Sequence, residues 1–156
     1  MKPDHWPSDE GGPLVSWDDM GAGAPTVIAL AQVCAKALAR DNRPLPELSP
    51  EARAILSAAR DRGVIEIKGT NNAFNSIERF LAVCIDLDGE RTLVLRSRED
   101  PTVTVRFLDA FRELCAARLA MHHLYREFSL TTAGFELARS IDPQEVEHLL
   151  ALGYEV

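Results

Sequence analysis

The stretch that decides the fold is Leu119-Ala-Met-His-His-Leu-Tyr-Arg-Glu-Phe-Ser-Leu-Thr-Thr-Ala-Gly-Phe-Glu-Leu-Ala138. Apolar and polar residues alternate at 119–122 and again at 127–130, which predicts two short strands joined by a bend. Their shared apolar face is predicted to consist of Leu119, Met121, Phe128 and Leu130. Thr131 stands where a helix N-cap is expected, and Gly134 in the first turn allows another backbone to come close. We therefore predict a β-hairpin followed directly by a helix.

Upstream segments predict further strands and helices. The apolar segment FLAVCIDL at 80–87 and the segment RTLVLR at 91–96 flank Asp88-Gly89, a pair that favours a tight hairpin turn because glycine accepts positive φ. The nearly continuous apolar run of the first segment indicates a strand in the sheet interior. The alternating residues 64–68 predict one more strand. Ser49-Pro50 and Asp100-Pro101 are cap-then-proline pairs that predict helix starts.

Composition divides the chain into two parts. Residues 1–24 are rich in proline, glycine and acidic side chains and lack strand or helix periodicity, which predicts a flexible acidic tail. Residues 25–156 carry the patterns of a single α+β domain. This domain begins with an alanine-rich helix whose apolar face runs through Val27, Leu30, Ala31, Cys34 and Leu38. We expect that helix to be buried or to form a homodimer through Thr26–Ala39.

Charge and cysteine usage narrow the class of protein. The net charge is −7, yet residues 91–139 carry eight arginines against six acidic residues. An acidic chain repels nucleic acid, so a nucleic-acid partner is disfavoured by the net charge. There is no apolar run of 18 residues and no secretory signal, so we expect a cytoplasmic protein with no membrane partner. Cys34, Cys84 and Cys115 are widely spaced, which indicates buried free thiols.

The segment Phe128-Ser-Leu-Thr-Thr-Ala-Gly-Phe-Glu-Leu-Ala138 resembles the "aromatic-x-Leu-Thr-x-x-Gly-x-x-x-Ala" exit from the wing of winged-helix (winged helix-turn-helix) domains. The resemblance spans residues 107–141. It implies a winged-helix-like α+β domain, to which the β-hairpin at 80–96 would be an addition. In such a domain the helix at 101–117 would read DNA, and the hairpin at 119–130 would be the wing. The implied nucleic-acid or partner contacts are Arg106, Arg112, Arg118, His122, His123 and Arg126.

The chain departs from that family in ways that favour a protein partner. A hairpin precedes the helix at 101–117 where the family has helices, and the helix itself carries Asp109 and Glu113. Our leading hypothesis is therefore a non-catalytic regulatory or protein-interaction module. The first alternative is a DNA-binding transcriptional regulator. The second is a small-ligand-binding protein or enzyme with a site near residues 71–76, where the polar residues are Asn71, Asn72, Asn75 and Ser76.

Catalytic and metal-binding patterns are missing from the sequence. It contains no nucleophile elbow, phosphate loop, HExxH motif or dinucleotide fingerprint. Adjacent His122 and His123 on a strand point to opposite faces and cannot easily share a metal. The acidic residues that flank the turn, Asp86, Asp88 and Glu90, suit backbone hydrogen bonding there. We therefore predict no catalytic residue, no metal and no cofactor.

Overall fold

The computed structural model describes residues 25–39, 47–70 and 80–156. The predicted tail at 1–24 and the predicted polar site at 71–76 lie outside these ranges. Within them the chain is mixed α+β. The helices are α1 (Pro25–Leu38), α2 (Pro50–Ala59), α3 (Pro101–Ala116), α4 (Thr132–Ser140) and α5 (Pro143–Leu150). The strands are β1 (Val64–Thr70), β2 (Phe80–Asp86), β3 (Thr92–Leu95), β4 (Ala120–His122), β5 (Glu127–Leu130) and β6 (Tyr154–Glu155).

The six strands form one antiparallel sheet in the order β4-β5-β1-β2-β3-β6. β2 lies between β1 and β3, which confirms that the segment at 80–87 is an interior strand. The turn after β2 contains Gly89 with φ of +92°, as the Asp88-Gly89 pair predicts. The two predicted hairpins, β2–β3 and β4–β5, thus belong to the same sheet and lie on either side of β1.

Alternation along the strands separates two apolar clusters. The larger joins the buried residues of the described helices to one face of the sheet, where the inward residues of β1 and β2 are Ile65, Ile67, Val83 and Ile85. The opposite face holds a small cluster of Ala82, Cys84 and Val94, with Tyr154 packed against it. Among the described helices, none contributes to the smaller cluster. The sheet therefore has a helix-covered face and an outer face.

Short-range caps begin the helices as the sequence predicts. Ser49 Oγ accepts a hydrogen bond from Ala52 N at 3.2 Å, and Asp100 Oδ1 accepts one from Thr102 N at 2.9 Å. Each bond satisfies an amide that has no partner inside its own helix. In the part of the chain that the structure describes, no helix combines the length and the apolar character needed to cross a membrane.

Helix α1 packs within the chain, against α3 and the edge strand β4. Its buried residues are Val27, Leu30, Cys34 and Ala37. Leu38, which was predicted to lie on the apolar face, is 44% exposed because it is the last residue of the helix. The apolar stripe that suggested a homodimer through Thr26–Ala39 is thus already covered by the same chain, and the dimer stays a prediction.

The register of the β4–β5 hairpin corrects one prediction. Ala120 is opposite Leu130 and His122 is opposite Phe128, whereas Met121 is opposite Ser129. Met121 therefore lies on the outer face, and the prediction that it shares a face with Phe128 is wrong. The reason lies just before the strand, where Arg118 adopts φ of +64° and buried Leu119 precedes the first paired residue. The alternation between inner and outer side chains therefore starts at Ala120. A shift of one residue moves every side chain of a strand to the other face of the sheet.

Candidate interaction surface

The β4–β5 hairpin is anchored to the core by two aromatic rings. Phe128 of β5 is 1% exposed and meets Phe111 of α3 edge to face, with ring centroids 5.0 Å apart and an interplanar angle of 89°. Leu130, two residues along the same strand, is 3% exposed. This edge-to-face arrangement is favourable because the positive ring edge meets the negative ring face. The hairpin is therefore a fixed part of the domain.

The junction from the hairpin into α4 is held by backbone contacts. Thr131 Oγ1 accepts a hydrogen bond from Gly134 N at 3.1 Å and donates one to the Arg118 carbonyl at 2.6 Å. Thr131 N donates to the Leu119 carbonyl at 3.0 Å. A Cβ atom added to Gly134 would overlap that same Leu119 carbonyl oxygen. The close backbone approach predicted at Gly134 is thus confirmed, and it locks both ends of the hairpin.

The two histidines of the hairpin face opposite sides of the sheet. His122 lies on the helix-covered side, where its ring is 5.0 Å from Phe128 and its Nε2 is 2.6 Å from the Tyr125 carbonyl oxygen. Exposed His123 lies on the outer side, with Nε2 2.7 Å from Ser129 Oγ. Because only an N–H can bond a carbonyl, His122 Nε2 carries a proton. No group of three or more potential metal ligands occurs within the described ranges.

The bend of the hairpin presents an apolar side chain to solvent. Leu124 is 58% exposed, and the next residue, Tyr125, is half-buried with φ of +52°. The bend is closed by hydrogen bonds from Glu127 N to the Leu124 carbonyl at 2.9 Å and from His123 N to the Glu127 carbonyl at 3.0 Å. A tyrosine in the left-handed region costs conformational energy, so surrounding contacts must hold this bend. Leu124 is therefore displayed on a constrained turn.

Glu66 forms ion pairs with two basic side chains on the outer side of the hairpin. Arg126 Nε lies 3.2 Å from Glu66 Oε1, and Lys68 Nζ lies 3.1 Å from Glu66 Oε2. β1 supplies both Glu66 and Lys68, and Glu66 is opposite Glu127 in the register. Pairs this exposed add little to stability, but they offset part of the charge of the basic side chains. The basic residue of the bend thus stands beside an acidic partner.

The six predicted contact residues do not form one surface. His123 and Arg126 belong to the outer side of the hairpin, whereas Arg106 and Arg112 lie on the exposed side of α3, which packs on the helix-covered face of the sheet. Asp109 is exposed on the same side of α3. The remaining two, Arg118 and His122, are half-buried. The β4–β5 hairpin and α3 thus present their exposed basic groups on different sides of the sheet.

The acidic residues around the first hairpin turn serve the turn. Asp86 Oδ1 accepts a hydrogen bond from Gly89 N at 2.6 Å, and Asp88 Oδ1 accepts one from Arg91 N at 2.8 Å. Asp88 Oδ2 also pairs with Arg91 Nε at 2.8 Å. The hydrogen bond from the Arg91 side chain, with support from the Arg91 and Glu90 amides, lowers the pKa of Asp88 to about 2. The carboxylates of Asp86 and Asp88 therefore bond the backbone of the turn, as predicted.

Sequence reasoning did not single out Leu124 or Glu66. A leucine in a four-residue bend has no periodic partner, so its exposure follows only from the register of the strands on each side. Glu66 was one acidic residue in an alternating strand, and its position beside Arg126 depends on the pairing of β1 with β5. In comparisons with known proteins, the chain matches no family model, no curated protein and no solved structure.

Proposed function

We propose that this protein is a non-catalytic protein-interaction module on a winged-helix-like core, and that the β4–β5 hairpin is its contact surface. The observation that carries the proposal is Leu124, an apolar side chain that is 58% exposed at the apex of an anchored bend. Protein–protein interfaces have an apolar centre that is enclosed by a polar rim. Here the surrounding polar groups are His123, Arg126 and Glu66.

The order of elements supports the winged-helix-like part of the proposal. The hairpin follows α3 directly, and its second strand pairs with β1, which precedes α3 in the chain. The additional hairpin β2–β3 extends the sheet on the other side of β1. In a domain built in this way the β4–β5 hairpin occupies the place of a wing, and its apex carries a leucine between a histidine and a tyrosine.

Charge supports a protein partner over DNA. A wing that contacts phosphate needs uncompensated cations, because affinity for DNA comes largely from neutralised phosphates. Arg126 of this hairpin is 3.2 Å from Glu66, and the next residue, Glu127, is exposed at the start of β5. A surface that carries charges of both signs around an apolar centre suits a protein partner. Its charges repel a partner that presents like charges at the same positions, and binding removes the leucine from water.

Site-specific photocrosslinking tests the proposal. We would replace Leu124 by the photoreactive residue p-benzoylphenylalanine in the full chain and irradiate it in a lysate of the organism that makes the protein. The matched control carries the same residue at Leu152, which is 45% exposed and precedes β6 at the opposite edge of the sheet. We expect a discrete crosslinked protein from position 124 and none from position 152.

A competition experiment shows whether the crosslink reports the hairpin surface. Purified wild-type protein in excess should suppress the crosslink, whereas the Leu124→Asp variant should not, because a charged side chain at the apex resists desolvation. The variant should keep the wild-type melting temperature since the side chain is exposed. No crosslink from position 124, or equal labelling from both positions, would contradict the proposal.

A further inference from the structure

The outer face of the sheet is buried, although no helix of the described ranges contributes a residue to it. Ala82 and Cys84 of β2 and Val94 of β3 are at most 3% exposed there, and Tyr154 of β6 packs against them. Neighbouring strands flank such side chains but do not lie above them, because side chains point away from the plane of the sheet. The burial therefore indicates that a further segment of the chain lies over this face.

A charged side chain is buried at the same place. Arg96 directly follows β3 and is 1% exposed, and its guanidinium carbon lies 5.9 Å from the centroid of the Phe80 ring. Phe80, Ala82 and Cys84 are alternate residues of β2, so they share the outer face. Burial of a guanidinium group is costly unless carboxylates or other acceptors face it. We therefore expect the segment that covers Arg96 to carry negative charge.

Two further cations lie near Arg96 on this side of the sheet. Lys68 of β1 is opposite Ala82 in the register, and the guanidinium carbon of exposed Arg98 lies 4.7 Å from the centroid of the Tyr154 ring. An aromatic ring attracts a guanidinium group without neutralising its charge. Glu66, the acidic partner of Lys68, is shared with a second basic side chain. The basic end of the outer face is defined by Lys68, Arg96 and Arg98.

Charge distinguishes the segments that could cover this face. The ranges outside the described ones are 1–24, 40–46 and 71–79. Residues 1–24 carry one lysine against five acidic residues, whereas 40–46 carry two arginines against one aspartate and 71–79 carry one arginine and one glutamate. The first range also holds Trp6 and Trp17, and indole rings pack well on guanidinium groups and on other aromatic rings. Residues 1–24 therefore fit the basic end best.

The segment is long enough to reach the face. α1, which follows it, packs along the edge strand β4. The six strands from β4 to β6 span about 24 Å, at about 4.8 Å between neighbours. An extended chain covers about 3.3 Å per residue, so residues 1–24 reach about 80 Å. That length suffices to pass the edge at β4 and to cross the whole outer face.

We propose that residues 1–24 dock across the outer face of the sheet, with their carboxylates against the basic end and their indole rings on the apolar cluster. The docked segment keeps water from Cys84 and Val94, and it adds negative charge around Arg96 and Arg98. The flexible tail that the composition predicts is then the undocked state of the same segment. This docking is independent of the partner proposed for the β4–β5 hairpin.

Zero-length crosslinking of the full chain with a carbodiimide tests the contact, because this reagent joins a lysine amine directly to a carboxylate that touches it. The chain contains three lysines, Lys2, Lys36 and Lys68, and Lys36 lies exposed on α1. We expect Lys68 to be linked within one chain to an acidic residue of 1–24, in addition to its neighbour Glu66. Lys36 is the control, since it is closer in sequence and a free tail would meet it more often.

Tryptophan fluorescence gives a second measurement on the same chain. Both tryptophans lie in residues 1–24, so their emission reports on this segment alone. Docked indole rings should emit at shorter wavelength than free tryptophan and should resist quenching by acrylamide. Arg98→Glu should shift the emission to longer wavelength and increase the quenching, because it places a carboxylate among those of the segment. Arg112→Glu, on the exposed side of α3, changes the net charge equally and should alter neither.

Several results would overturn the proposal, and the wild-type crosslinks remain decisive even if a variant fails to fold. Links of Lys68 to Glu66 alone would mean that another part of the chain covers the outer face. Equal linking of Lys36 and Lys68 to residues 1–24, or links between two chains, would also contradict the docking. So would tryptophans that acrylamide quenches as readily as free tryptophan, or an equal response to the two arginine substitutions.

Discussion

The ring of Phe128 stands edge to face on the ring of Phe111, with 5.0 Å between centroids. One ring comes from the hairpin and the other from α3, so this contact fixes the hairpin to the helix that precedes it. Phe128 is buried on the inner face of the hairpin, and Leu124 is exposed at its bend. The stability of this contact therefore bears directly on the proposed interaction surface.

Replacing Phe128 by alanine should destabilise the protein by about 3–5 kcal/mol, because it removes a buried ring and leaves a cavity. Urea denaturation followed by circular dichroism would measure the change. Leu124→Ala on the same hairpin is the matched control, and we expect it to change the free energy of unfolding by less than about 0.5 kcal/mol because that side chain is exposed. A near-neutral Phe128→Ala would mean that the hairpin does not belong to the core.

A double-mutant cycle would isolate the ring contact itself. Phe111→Ala and Phe128→Ala should combine with a coupling of about 0.5–1.5 kcal/mol beyond the loss of buried area. Strict additivity of the two changes would contradict the direct contact between the rings.

Gly134→Ala should destabilise the protein by about 1–3 kcal/mol, although alanine favours helices more than glycine does. The new methyl group would overlap the Leu119 carbonyl, and a backbone atom cannot turn aside. Gly69→Ala is the control, because no atom lies within 4 Å of its added Cβ. That substitution should be neutral or stabilising by up to about 1 kcal/mol. Thermal melts of both variants would check the contrast, and equal effects would refute it.

The turn carboxylate Asp88 should contribute to the pH dependence of stability at the acidic end. Its pKa falls from an ordinary value of 3.8 to about 2 in the folded protein. A depressed pKa means that the folded state binds the proton less readily, so the contribution is complete above about pH 4 and is lost as the pH falls through about 2. Asp88→Asn should therefore lose less stability than the wild type as the pH falls from about 4 to about 2.

Urea midpoints of the wild type and of Asp88→Asn at several pH values would measure that difference. If the Asp88→Asn variant loses as much stability at acidic pH as the wild type does, the role assigned to Asp88 in this turn is contradicted.

Duplex DNA should give no measurable gel shift at low salt, because the basic residues of α3 and of the hairpin face different sides of the sheet. If DNA does bind, the logarithm of the affinity should fall with the logarithm of the salt concentration by about 0.9 per phosphate neutralised. Arg112→Ala and Arg126→Ala would then each flatten that slope. Such a result would favour the alternative of a DNA-binding regulator and would count against the protein-interaction module.

Local signals predicted much of the secondary structure. Thr131, Asp100 and Ser49 each cap a helix because the group that the side chain bonds lies only two or three residues away. The Asp88-Gly89 pair forms its turn for the same reason. The prediction for Met121 was wrong because the face of a short strand depends on the residue where pairing begins. That residue follows from the backbone of Arg118 and from the partner strand.

The candidate site shows the same division. The sequence identified the hairpin and its histidines, and the prediction that His122 and His123 point to opposite faces is confirmed. It did not identify which histidine lies inside, because alternation specifies opposite faces but not which of them meets the core. The salt bridge of Arg126 with Glu66 required the pairing of two strands that are distant in sequence.

The sequence by itself determined the capped helices, the two hairpins and the close approach at Gly134, because each depends on the steric and hydrogen-bonding preferences of a few adjacent residues. Only the tertiary structure decided that β5 pairs with β1, and that Leu124 is exposed while His122 packs against Phe128. These relationships arise from burial of apolar surface between segments far apart in the chain. That burial selects one global arrangement from many that satisfy the same local rules.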